Sequence, residues 1–144
     1  MAYVVGVCLA LALSAFATLV GLDRDRAFYP TVMIVIALLY ALFAAIGGSA
    51  HALLVECPMI AAFVLAAVLG FKFSLWIVVA ALAAHGIFDS VHGHVIENPG
   101  VPTWWPMFCM AYDVTAAAYL AVLLRRRNKK GDPDRVASNA QDRI

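Results

Sequence analysis

Five runs of about twenty apolar residues divide this chain, and each is long enough to cross a hydrocarbon core of about 30 Å at 1.5 Å per residue. They fall at approximately 2–22, 27–46, 51–71, 74–93 and 103–124. The breaks carry charge or turn signals: Asp23-Arg24-Asp25-Arg26, Gly47-Gly48-Ser49, Lys72, and Asn98-Pro99-Gly100-Val101-Pro102. Of 144 residues 65% are hydrophobic and 13% charged, against about 25% charged in a soluble domain. Spread over a water-facing surface, that composition would leave large apolar patches, which excludes a soluble globule, a disordered chain and a nucleic-acid binder. The expected fold is an all-α integral membrane bundle of five transmembrane helices over residues 1–124. Residues 125–144 are expected to be a basic, disordered tail.

The cations sort by position. Arg24 and Arg26 lie in the first loop, Lys72 in the third, and the rest follow the last span, so all 10 Lys and Arg fall on one side. The positive-inside rule then predicts an outside N-terminus and a cytoplasmic C-terminus. Met1-Ala2-Tyr3 has no basic signal-peptide start, so the first run reads as a retained helix. The run Arg125–Lys130 sets topology, and it also suits contact with anionic lipid headgroups. Cys8, Cys57 and Cys109 form no Cys-x-x-Cys pair and give no disulfide framework.

The first two spans hold no acidic, basic or histidine side chain and read as scaffold. Spans three to five differ, because Glu56, His85, Asp89, His92 and Asp113 sit inside or at the edge of apolar runs. An uncompensated charge at mid-membrane costs about 2.5–3.5 kcal/mol on insertion scales, so such residues are functional candidates by default. His85 and Asp113 fall near the midplane, with Glu56 and Asp89 roughly 7–9 Å toward the outside. At about 100° per residue His85, Asp89 and His92 form one helical stripe, and Cys109 and Asp113, at i and i+4, form another. No Lys or Arg is available there, so the carboxylates must be protonated, paired with histidinium, or bound to a cation.

Histidine nitrogen and carboxylate oxygen suit a divalent metal: zinc, iron or manganese. On this reading His85, Asp89 and His92 are ligands, Asp113, Glu56 or Cys109 complete the shell, and Asp113 or Glu56 serves as general base toward a metal-bound water. The implied activity is hydrolysis of a lipid or other amphiphile by a membrane-embedded metal enzyme. The His-x3-Asp-x2-His spacing differs from the stronger His-Glu-x-x-His signature. Two other readings stand beside it. In one, a non-enzymatic ligand-binding or accessory subunit uses these residues to hold helices together, although interhelical polar bonds worth about 0.6 kcal/mol each hardly offset insertion of several such groups. In the other they form a proton path, which the apolar inner halves of the same helices leave unfinished.

His85-Gly86-Ile87-Phe88-Asp89-Ser90-Val91-His92, followed by Cys109-Met110-Ala111-Tyr112-Asp113 and preceded by Gly47-Gly48 and Glu56, resembles a family of small bacterial membrane proteins classed as a domain of unknown function. The likeness covers roughly residues 45–120. It implies a bacterial inner-membrane location and one site built from these residues, and it names no reaction. The family often has a second histidine directly after the stripe, where this chain has Gly93 and then His94.

Overall fold

The computed structural model describes residues 1–130, which form five α-helices and, among the described residues, no strand. They are α1 (Ala2–Val20), α2 (Phe28–Ile46), α3 (Ala50–Lys72), α4 (Leu75–Val95) and α5 (Trp105–Lys130). All five are long and apolar enough to span a membrane. The boundaries follow local chemistry. Ser49 and Ser74 cap α3 and α4 by accepting from the Ala52 and Trp76 amides. Pro58 lies inside α3, well past its first turn, where its missing N–H removes one backbone hydrogen bond from the helix.

One expectation is corrected at the C-terminus. The basic run does not begin a disordered tail at residue 125, because α5 continues through Lys130. Arg and Lys are good helix formers and suit the negative end of the helix dipole. The run is also anchored: the Arg125 guanidinium lies 6.0 Å from the Trp76 ring centroid, and Arg127 donates to the Asp23 carbonyl at 2.9 Å. The rest of the expected tail, 131–144, lies outside the described residues.

On α1 large side chains face outward and small ones inward, the reverse of a helix in a soluble bundle. Val4, Leu9, Phe16 and Leu19 are exposed, while Gly6, Ala10, Ser14 and Ala17 are buried. Lipid competes for Leu as well as a neighbouring helix does, so association rests on small residues that let backbones approach. Gly6 shows how closely: a Cβ there would fall 2.4 Å from the Phe108 carbonyl oxygen on α5. Cys8 and Cys57 lie on the exposed surface, and Cys109 is buried.

Helix α4 is central, packing on α5, α3 and α2, while α1 packs on α5 and α2 on α3. Two ends result. The loop 21–27, the α3–α4 junction and the end of α5 form a basic end. The turn 47–49 and the loop 96–104 form a far end that carries no Lys or Arg. The 96–104 loop folds down onto the bundle, burying Ile96 and Asn98. Gly100 makes this possible, since a Cβ there would lie 1.7 Å from the Phe43 carbonyl oxygen at the end of α2.

Candidate metal centre

Because α4 sits between its neighbours, its polar stripe faces protein rather than lipid. His85, Asp89 and His92 are each 1% exposed, as is Glu56, and Asp113 is fully buried. Each reaches a partner on another helix, and the stripe divides into two groups.

The first group joins α4 to α5. His85 Nδ1 lies 2.7 Å from Asp113 Oδ2 and 3.3 Å from Asp89 Oδ2. The Cys109 thiol donates toward Asp113 Oδ2 at 3.8 Å, as the i, i+4 spacing predicts. One ligand atom from each of His85, Asp89, Cys109 and Asp113 fits within 4.8 Å of the others, so this buried group can hold a metal ion. Its hydrogen bonding is incomplete: Asp89 Oδ2 and Asp113 Oδ1 have no hydrogen-bond partner. Buried polar atoms are nearly always bonded, and an imidazole, a thiol and two carboxylates are donors that a mixed N/O/S cation site could use.

The second group joins α4 to α3 and the far-end loop. His92 Nε2 lies 2.7 Å from Glu56 Oε1, and the Asn98 amide donates to that same oxygen at 3.0 Å and to the Tyr40 carbonyl at 3.1 Å. His92 is turned to Glu56 and is not among the four residues that share the first group, and neither is Glu56. The sequence places His85, Asp89 and His92 on one stripe; the structure keeps the stripe and gives its two ends different partners.

Tyr40 links the groups. Its hydroxyl donates to Asp89 Oδ1 at 2.5 Å, and its ring stacks on His92 with centroids 4.0 Å apart. Phe63 and Phe88 close the apolar walls, Phe63 edge-on to His85 at 4.7 Å and Phe88 edge-on to His92 at 5.4 Å. The reading of α2 as scaffold is corrected by this contact. Tyr40 and Asn98 are the two site residues that sequence reasoning missed. A signal for the first exists, since a tyrosine within the aliphatic stretch 32–46 must find a partner for its hydroxyl once buried.

Among the described residues, the ion-pair partners of Glu56, Asp89 and Asp113 are histidines alone. The first group therefore combines two carboxylates with one imidazole. A divalent cation would offset both carboxylates, whereas a histidinium would offset one. At the far end a groove of about 260 Å³ between Tyr3, Ser90, His94, Thr103 and Met107 has the buried Asp89 in its wall. His51, His94 and Glu97 are exposed and join neither group.

Comparison with family models, with curated proteins and with solved structures finds no match to this chain.

Proposed function

We propose that this is a membrane-embedded metal enzyme that hydrolyses a lipid or other amphiphile. In the proposal His85, Asp89 and Cys109 hold a divalent zinc, iron or manganese ion, and Asp113 is the general base. The observation that carries it is the pair of orphaned carboxylate oxygens, Asp89 Oδ2 and Asp113 Oδ1, in a group with no Lys or Arg to neutralise it. A metal in such a shell would lower the pKa of a bound water toward neutrality. With one carboxylate oxygen of Asp113 committed toward His85 and Cys109, the other would be available to hold a proton as general base. The groove at Asp89 supplies a path for water and for a substrate headgroup, with Pro106 and Met107 offering an apolar wall. Glu56 and His92, proposed at the sequence level as base and ligand, serve this site indirectly: they fix the Tyr40 ring, whose hydroxyl orients Asp89.

A second reading is favoured by the other group. Glu56, His92 and Asn98 form a completed network between α3, α4 and the far-end loop, which is what a non-enzymatic ligand-binding or accessory subunit needs to hold its helices. Elemental analysis of detergent-purified protein separates the two. Stoichiometric metal that is lost in His85→Ala and Asp89→Asn, with metal-dependent cleavage of amphiphilic esters or amides that is lost in Asp113→Asn, supports the enzyme. A folded, metal-free protein at ambient metal would overturn it.

The proposal includes a multi-pass location in a bacterial inner membrane with the N-terminus outside, supported by the gathering of Lys and Arg at one end. Family membership is proposed on the His-x3-Asp-x2-His and Cys-x3-Asp motifs alone. A reporter fused after Arg127 that signals from the extracytoplasmic side refutes the orientation.

A further inference from the structure

The basic end carries a second cavity, unconnected with the metal reading. It is about 590 Å³ in volume, and its cationic wall is Arg24, Arg126, Arg127 and Lys129. Its floor is built rather than incidental. Asp23, 3% exposed, accepts the Thr18 hydroxyl at 2.7 Å and lies 3.3 Å from the Arg127 guanidinium, which also donates to the Asp23 backbone carbonyl at 2.9 Å. Tyr119 on α5 donates to Thr18 on α1 at 3.1 Å, so two helices and the loop between α1 and α2 are tied together beneath the cavity.

Charge is unevenly settled there. Arg127 is paired with Asp23, but among the described residues Arg24, Arg126 and Lys129 have no carboxylate partner. Arg24 folds back over Gly21, which keeps its guanidinium at the end of α1 rather than in open water. Leu123 contributes an apolar edge on the membrane side. A surplus of unpaired cations over a tied floor, bordered by hydrocarbon, matches an anionic headgroup whose tails remain in the bilayer. Arg127 is held at the floor by its two contacts to the buried Asp23.

We propose that this cavity binds the phosphate group of an anionic membrane lipid. The basic run thereby divides by function along one helix: Arg125 lies over Trp76, Arg127 locks Asp23, and Arg126 and Lys129 face the headgroup. Arg125, Arg126 and Lys129 are all exposed, so neutralising any of them leaves the fold standing.

The test uses the full chain in phosphatidylcholine nanodiscs with and without a minority of phosphatidylglycerol, with retained lipid read by native mass spectrometry. The wild type is expected to retain phosphatidylglycerol selectively. Arg126→Gln with Lys129→Gln should weaken retention about 25-fold, or about fivefold for each charge, and Arg125→Gln should have little effect. High salt should weaken retention in the wild type. Equal loss in Arg125→Gln would show diffuse charge attraction and overturn the site. Unchanged retention in the double variant would overturn it as well. A third arm adds inorganic phosphate: if it binds alone and expels the lipid, the ligand is a soluble phosphate and the lipid assignment falls.

Discussion

The two histidine–carboxylate pairs have the same length, 2.7 Å, and opposite bookkeeping around them. His92 and Glu56 meet a third partner, Asn98, and leave no orphan. His85 and Asp113 meet Asp89 and Cys109, and two carboxylate oxygens are left without a hydrogen bond, Asp89 Oδ2 keeping only its 3.3 Å approach to His85. Both lie in the same bundle a few residues apart on α4, so burial alone does not explain the difference. A completed pair is what helix association requires; an incomplete one costs stability unless something else binds.

The comparison can be broken by substitution. The largest expected effect is on stability at the completed pair: Glu56→Ala orphans His92 Nε2, takes one of its two hydrogen bonds from the Asn98 amide and should cost about 3 kcal/mol. Metal stoichiometry should survive. Thermal unfolding of the metal-depleted protein measures the cost, and a loss under about 1 kcal/mol would mean that the network is not what holds α3 to α4.

Next comes the incomplete pair. Saturating zinc or manganese, at about 100 times its dissociation constant, should stabilise the wild type by about 2.7 kcal/mol. Asp113→Asn should abolish that gain. In metal-depleted protein the same substitution should cost less than Glu56→Ala, because the Asp113 Oδ1 atom has no bond to lose. If Asp113→Asn proves the more damaging without metal, the contrast between the pairs is reversed.

Tyr40→Phe sharpens the link between the groups. It keeps the stack on His92 and removes the hydroxyl from Asp89, for a stability cost of about 0.6 kcal/mol. Metal affinity should fall more noticeably, by about 10-fold, as for loss of an outer-shell partner. Isothermal titration with the metal reads this directly, and unchanged affinity would detach Tyr40 from the site. The smallest effect is expected of Cys109→Ser. It is nearly isosteric and should leave stability unmoved while shifting preference from zinc toward manganese in a competition assay, because a thiolate is the softer donor.

Much of this arrangement was legible in the chain. Spans were visible because hydrocarbon thickness fixes their length, and the observed helices begin and end within a few residues of the apolar runs, apart from the extension of α5. The groups on α4 and α5 were legible because i, i+4 and i, i+7 spacings are properties of one helix. Which partner each side chain meets was not, because that depends on how helices rotate against each other. His92 illustrates this: its spacing from His85 aligns the two, yet it points at α3, while His85 points at α5. Tyr40 hid as one aromatic among aliphatics. Asn98 hid as a turn residue beside Pro99, and only the close seat of Gly100 on α2 carries it to Glu56.

The seam of Gly6, Ala10, Ser14 and Ala17 has a consequence for assembly. Helix α1 is made before the other four described helices, but the surface it fits belongs to α5, the last of the five. During stepwise insertion its small-residue side must stay wetted by acyl chains until the last segment arrives. The bundle therefore closes between the first and the last of its five helices, and a ribosome-stalled intermediate lacking residues beyond 104 would leave α1 undocked.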